Sequence, residues 1–143
     1  MKRGILVLTM FVAILVLSGQ PAMTQTSPQA QSEQAIVSIY HVAPGQHINF
    51  LKWHAQREAV NDSLGFPPAR WYAHLDGDSW DYVIVAPKLT EQQEMEADSV
   101  ARNRGLTSGF AAGIELRHFI RSHTDTIVMG PVSATELVTL GQE

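Results

Sequence analysis

The sequence contains no cysteine. This absence excludes disulfide bonds, thiolate metal ligands and haem attached through cysteine. Runs of basic residues are also absent. The chain has 10 lysines and arginines against 14 acidic residues, so its net charge is −4. Such a surface repels phosphate backbones, so we expect no binding to nucleic acid. The sequence also lacks a Gly-rich phosphate loop, a Ser-centred elbow and a His-Glu-x-x-His motif, which disfavours nucleotide binding and hydrolase chemistry.

Long apolar runs are scarce, and the one at the start, Ile5–Leu17, is 13 residues long. A helix needs roughly 20 residues to span a bilayer. The run follows Lys2 and Arg3 and leads into small residues, which is typical of a signal peptide. We therefore predict a leader over residues 1–22, export to the periplasm or the medium, and no stable membrane insertion after cleavage. The mature chain would have eight basic against 14 acidic residues, a net charge of −6.

The composition divides the remaining chain into three parts. Residues 23–34 are mostly Thr, Gln, Ser, Pro and Ala without periodicity, which predicts a flexible linker. Residues 35–133 have the length of one domain with a modest core. We assign residues 134–143 to a C-terminal tail.

The folded part alternates strand-like and helix-like patterns. An Asp-Gly pair between two apolar runs predicts a hairpin, and Thr90 with Gln93 forms the pattern of a capping box at a helix start. The predicted strands are Ala35–Val42, Arg70–Leu75, Trp80–Ala86 and Thr124–Met129. The predicted helices are Gln46–Leu64, a second one capped by Thr90 and ending near Arg104, and Gly109–Ser122.

The element order is strand, helix, strand, strand, split helix, strand. Two right-handed βαβ units in this order give an α+β, ferredoxin-like fold, a four-stranded antiparallel sheet with helices on one face. The other face is left bare, and the sheet contains Tyr40, Tyr72, Trp80 and Tyr82. Exposing such a face costs about 25 cal/mol per Å² of apolar surface, so we expect a homodimer that closes over it.

The first helix carries two apolar stripes, one with Phe50 and Trp53 and one with Ile48 and Leu51. A surface helix normally has one such stripe. We therefore expect one stripe to contact the sheet of the same chain and the other to contact a second body. Arg57, four residues after Trp53, is placed to stack on the indole ring, more as interface packing than as ligand binding.

The chain resembles the dimeric α+β barrel superfamily, which includes antibiotic-biosynthesis-type and haem-degrading monooxygenases. The resemblance rests on the first strand followed by Pro44-Gly45-Gln46, on the helix with Phe50 and Trp53, and on the strand WDYVIVAP that ends at Pro87. It covers most of residues 35–131 and implies a barrel formed by two sheets. No catalytic signature matches residue by residue, so no family active site is transferred.

Six histidines are the main candidates for chemistry, and His74 is the best placed, in a strand beside Tyr72. With an even loop length this pair lies beside Asp81, and with an odd one beside Trp80 and Tyr82. A histidine next to an aspartate suits general acid or base catalysis near neutral pH. We take His74, Tyr72 and Asp81 as the catalytic candidates.

The ligand-binding candidates are His54, Trp80 and Tyr82. Glu58 lies four residues after His54, close enough on a helix to orient its imidazole or share a metal, although a solvated pair is the simpler interpretation. Histidine spacing argues against a local metal site, and we expect neither metal nor cofactor.

The sequence therefore predicts an exported homodimer that binds a small apolar or aromatic molecule. If it is an enzyme, a cofactor-independent monooxygenase or isomerase fits the residues and the resemblance. One alternative is a non-catalytic periplasmic binding or interaction protein. Another is haem binding through a single axial histidine, either His74, His118 or His123.

Overall fold

The computed structural model describes residues 34–142 of the chain. It contains four strands and four helices, in the order β1, α1, β2, β3, α2, α3, β4, α4. The strands are β1 Gln34–Val42, β2 Arg70–Ala73, β3 Tyr82–Pro87 and β4 Ile120–Met129. The helices are α1 His47–Ser63, α2 Glu91–Asn103, α3 Gly109–Leu116 and α4 Ala134–Leu140.

The four strands form one sheet in the order β2-β3-β1-β4, and each neighbouring pair is antiparallel. β3 and β1 are therefore the central strands, and β2 and β4 are the edge strands. This order with two βαβ crossovers is the ferredoxin-like arrangement, so the fold class predicted from the element order is confirmed. Among the described residues no helix combines the length and the apolar character that crossing a membrane requires.

The core lies between α1 and the central strands. Alternating residues of a strand point to opposite faces, and Tyr40 and Val42 of β1 share the helix-facing side with Ile84 of β3. Phe50 of α1 is completely buried against them, and Ile120 closes the cluster from β4. The Phe50 and Trp53 stripe of α1 thus contacts the chain's own sheet, whereas Ile48 of the other stripe is 63% exposed.

The hairpin has the register expected for an even loop. Trp71 pairs with Ile84, and Tyr72 pairs with Val83. Tyr72 therefore projects from the sheet face opposite to the helices. Tyr40 is one of the aromatic residues expected to make the bare sheet face apolar. Its side chain instead lies on the other face, where α1 covers it. The open face instead presents half-buried aliphatic residues of the central strands, such as Val37 and Val85.

Two boundaries near the C-terminus differ from the sequence-based prediction. The third helix ends at Leu116 instead of Ser122, and β4 begins at Ile120 instead of Thr124. The segment 120–129 is rich in β-branched residues and pairs with the whole of β1, so tertiary pairing outweighs a helical stripe.

The predicted C-terminal tail, residues 134–143, contains the helix α4. Ser133 accepts a hydrogen bond from the Glu136 amide, and the Glu136 carboxylate accepts one from the Ser133 amide. This reciprocal capping box satisfies two backbone donors at the start of a helix.

The capping box predicted at Thr90 is present, because the Thr90 hydroxyl accepts from the Gln93 amide and the Gln93 side chain accepts from the Thr90 amide. We expect Thr90→Ala to lower the free energy of unfolding by about 1 kcal/mol, since one backbone donor of α2 loses its partner. Urea denaturation measures the change. Gln92→Ala, an exposed position in the same turn, is the control and should stay close to the wild type. Equal stability of the Thr90 variant would contradict the contribution of the cap.

Candidate functional site

His54 lies on the sheet-facing side of α1 inside an aromatic cluster. Its ring centroid is 4.6 Å from that of Phe50, 4.8 Å from Trp53, 4.9 Å from Trp71 and 5.5 Å from Tyr40. The contacts are edge-on, and the buried Nε2 atom has no hydrogen-bond partner. The position predicted to bind ligand is thus part of the core, behind the indole of Trp71.

Burial controls the protonation of His54. Desolvation lowers the pKa of its imidazole to about 4, and the positive charge of Arg57 lowers it further. The ring is therefore still mostly neutral at about pH 5, where a solvated histidine is mostly protonated. A charged ring at this position would have to lose its hydration among aromatic carbons.

The predicted stacking of Arg57 on Trp53 is confirmed, with the guanidinium carbon 3.5 Å from the ring centroid. Glu115 of α3 accepts a hydrogen bond from the Trp53 indole at 2.9 Å and pairs with Arg57 at 3.4 Å. The Thr107 hydroxyl also donates to Glu115, and this bond is the main reason why the pKa of the carboxyl is lowered. The group joins α1 to α3 and is structural.

Glu58, proposed as a partner of His54, instead accepts a hydrogen bond from the indole N–H of Trp71 at 2.5 Å. This bond connects α1 to β2 and fixes the plane of the indole. The indole lies between two environments, with His54 on the inner side and a surface cleft on the outer side.

The cleft has a volume of about 350 Å³ and lies between the sheet, the C-terminal half of α1 and the start of α2. Most of its wall is apolar. The apolar lining consists of Ile36, Pro67, Pro68, Ala69, Trp71, Ala86, Pro87 and Leu89, and the polar lining of Glu58, Asn61, Asp62 and Glu94.

Sequence reasoning did not identify this cleft. The one signal was the stiff connector after α1, in which Pro67 and Pro68 form part of the rim. The remaining lining residues belong to separate elements, and each has an ordinary pattern for its own helix or strand. Only the packing of α1 against the sheet places them around one volume.

The catalytic candidates of the hairpin come only partly together. The backbone N–H of His74 donates to the Asp81 carbonyl at 3.0 Å, so the two residues are opposite each other. The Asp81 carboxylate, however, accepts from the Val42 amide at 2.6 Å, and its other oxygen is 3.9 Å from His47 Nε2. The Asp81 carboxylate thus binds the end of β1 and approaches the first residue of α1, and it does not pair with the His74 imidazole.

The other hairpin candidates are also dispersed. The His74 ring is 5.1 Å from that of Trp80, and its buried Nε2 has no hydrogen-bond partner. Tyr72 is 52% exposed on the open face. Tyr82 lies on the helix face, stacked on Phe50 at 5.5 Å.

A second polar group, which the sequence reasoning missed, lies where β1 meets β4. His123 Nε2 is 3.3 Å from Asp125 Oδ2, and the His123 ring stacks on Tyr40 with centroids 5.6 Å apart. Burial raises the pKa of the Tyr40 phenol, so it stays protonated. The signal was the spacing of two within a strand, which places both residues of the pair on one face.

The described residues 34–142 contain no group of three or more histidine and acidic side chains arranged to hold a metal ion. His123 and Asp125 are a pair, and the carboxylates of the cleft do not form such a group.

Comparison with known proteins gives no family. No family model matches the chain, and no curated protein matches it. Several solved structures are similar to this chain, among them two proteins of unknown function. One is a dimeric protein of unknown function and ferredoxin-like fold from Bacteroides fragilis, with 10% identity and a TM-score of 0.39, covering 68% of this chain and 95% of that chain. The other is a protein of unknown function from Nitrosomonas europaea, with 18% identity and a TM-score of 0.41, covering 72% and 93%.

Proposed function

We propose that the protein is an exported homodimer that binds a small apolar or aromatic molecule in the cleft beside Trp71. The observation that carries the proposal is a cleft of about 350 Å³ whose wall is mostly apolar and is rigidified by prolines. Ligand sites in proteins have volumes of about 300–1,000 Å³ and this kind of lining, with a few polar groups that orient the ligand.

Trp71 gives the cleft a defined surface. Its indole N–H is held by Glu58 and its inner side is supported by His54, so the ring is fixed before any ligand arrives. A fixed aromatic wall binds more tightly than a mobile one, because no rotamer freedom is lost on binding.

The lining supports binding more than catalysis. It contains no serine, histidine, lysine or tyrosine, and Glu58 is already engaged by Trp71. A nucleophile paired with a base, or a base paired with an orienting group, is the usual requirement for covalent or acid–base catalysis. Neither arrangement occurs among the residues that line the cleft.

The proposed dimer explains the surfaces that a single chain leaves uncovered. Most residues of β4 are exposed on both faces of the strand, including Ile127 at 59%. The apolar side chains of α4, Leu137, Val138 and Leu140, are also about half exposed. Contiguous apolar surface is uncommon on monomers, and a second copy packed on the sheet face opposite to the helices would cover Val37 and Val85 of that face. A monomeric mass in native mass spectrometry at micromolar concentration would contradict the dimer.

Export is proposed from the leader pattern of residues 1–22, which lie outside the described residues. The linker over residues 23–34 belongs to the same proposal, and of it only Gln34 is described, as the first residue of β1. Cell fractionation with N-terminal sequencing of the mature protein tests the leader and export, and a full-length chain in the cytoplasm would contradict the two.

The binding function is tested by filling the cleft. Ala86 lies in its lining, on the helix-facing side of β3, and Ala86→Phe places a ring in the volume. We expect this variant to lose binding of aromatic probes, which quench Trp71 fluorescence in the wild type, by at least about tenfold in affinity. Ala73→Phe, the same substitution at an exposed strand position, should bind as the wild type does.

The source of the fluorescence signal needs its own control, since the chain has three tryptophans. Trp71→Phe should abolish the quenching and Trp80→Phe should retain it. Quenching that survives in both Ala86→Phe and Trp71→Phe would place the ligand elsewhere and refute the proposal.

A second candidate function is acid–base catalysis, favoured by the pairing of His123 with Asp125 beside Tyr40. A carboxylate that orients an imidazole is a common acid–base arrangement. The assignment of His74 and Tyr72 to catalysis remains a prediction, as does haem binding by a single histidine. Any turnover that depends on His123 but not on His74 would favour the second candidate.

A further inference from the structure

We infer that the ligand of the cleft is an organic cation, an apolar or aromatic molecule that carries a protonated or quaternary amine. The inference rests on the proposed binding function and adds the charge of the ligand to it. It depends on three features of the cleft: its acidic side chains, its position at the end of α1, and the indole of Trp71 in its lining.

The charged side chains of the cleft are all acidic. Glu58 and Asp62 come from α1, and Glu94 comes from α2 on the opposite wall. No lysine, arginine or histidine is found among the lining residues, all of which belong to the described part of the chain. The amine of Lys88, next in sequence to the lining residue Pro87, donates instead to the Gln34 side chain at 3.0 Å.

The cleft also lies at the C-terminal end of a helix. Asp62 is in the last turn of α1, where the helix dipole is negative, and that turn has no basic side chain. Helix C-termini favour cations, and an acidic residue there is unfavourable by a similar amount. Arg104 donates to the Ala59 carbonyl near this helix end at 3.0 Å but is not among the residues that line the cleft. Inside the cleft the carboxylates and the helix end both contribute negative potential.

The indole face supplies the remaining contact. Tryptophan is the strongest aromatic partner for cations, and quaternary ammonium groups are bound in proteins by aromatic walls of this kind. The indole of Trp71 lines the cleft, and its N–H is already engaged by Glu58, so its aromatic ring is what it offers to a ligand. Anionic ligands such as carboxylates or phosphates would meet only like charge here, so the same features exclude them.

The test compares three probes of nearly equal size: benzylamine, benzyl alcohol and benzoate, titrated into the purified protein at pH 7 and low salt. We expect benzylamine to bind about tenfold more tightly than benzyl alcohol, and benzoate to bind most weakly. Added salt should weaken the binding of benzylamine and leave that of benzyl alcohol unchanged, because only the charged probe is screened.

A charge variant assigns the preference to the cleft. Asp62→Asn combined with Glu94→Gln removes two carboxylates without touching the bond between Trp71 and Glu58. In this variant the affinity for benzylamine should fall to about that for benzyl alcohol. Asp76→Asn combined with Asp78→Asn makes the same charge change in the exposed hairpin loop and should keep the preference.

The outcomes separate the inference from the proposed function. Benzyl alcohol binding as tightly as benzylamine would overturn the cationic ligand and leave a neutral-ligand cleft. A preference that persists after Asp62→Asn and Glu94→Gln would also overturn it. If none of the three probes binds to the wild type, or if their binding is unchanged by Ala86→Phe, both proposals fail together.

Discussion

Replacing Phe50 by alanine is expected to lower the free energy of unfolding by about 3–5 kcal/mol. Phe50 is completely buried, and the rings of Tyr40, His54 and Tyr82 contact it from both α1 and the sheet. These neighbours are held by strand pairing and by the helix backbone, so they are unable to collapse into the cavity. Domains of this size are stable by about 5–15 kcal/mol, so the variant loses a large share of the total.

Urea denaturation followed by far-UV circular dichroism measures this loss. Phe110→Ala is the matched control, because Phe110 is 80% exposed on α3 and its truncation should cost less than about 0.5 kcal/mol. Similar midpoints for the two variants would show that α1 does not pack on the sheet as described. Such a result would also remove the wall that supports Trp71 and the cleft.

Acidification from pH 6.5 to 4 is expected to destabilise the protein by up to about 3 kcal/mol through His54 alone. The pKa of His54 is lowered to about 4 in the folded chain, whereas the ordinary value is 6.5. Between these values the unfolded chain binds a proton that the folded chain does not. Stability therefore rises with pH across this window, is complete above about 6.5, and is lost as the pH falls to 4.

The contribution of His54 is isolated by comparison with His54→Phe, which keeps an aromatic ring and removes the titration. Carboxyl groups such as Glu115, whose pKa is lowered in the folded chain, also lose stabilisation in acid, but they do so equally in both proteins. The difference between the two stability curves should grow as the pH falls below 6.5. His118→Phe, at an exposed position, should follow the wild type. Parallel curves for wild type and His54→Phe would contradict a desolvated imidazole.

The fold could be predicted from local patterns because each element carries its own signal. The Asp-Gly hairpin, the capping box at Thr90 and the two stripes of α1 all have direct physical causes, and the structure contains each of them. The start of β4 could not be predicted in this way. Residues 118–123 fit a helical stripe equally well, and only pairing with β1 decides between the two. Ser133 and Glu136 carry a capping-box pattern at the start of α4, a helix that the predicted C-terminal tail does not include.

The site was less predictable than the fold. His74 and Asp81 are opposite each other as the even register requires, but the Asp81 side chain turns to the Val42 amide, which no sequence pattern indicates. The cleft depends on how closely α1, α2 and the sheet approach one another, a distance that periodicity does not encode. The spacing of Glu58 from His54 indicates a pair on one helix face, yet the partner of Glu58 is Trp71, which belongs to a strand.

The edge position of β4 sets a limit on what the surface of this protein can tolerate. β4 is the longest strand and the last in the sheet order, so a row of backbone amides and carbonyls roughly 30 Å long faces outward in the described chain. An uncovered edge of this length is a template on which a foreign segment can add as a fifth strand. Arg121 and Asp125 place opposite charges along that edge and discourage such addition. Apolar residues at these two positions would remove the charges from the edge, lower the solubility of the protein and favour fibre growth by strand addition.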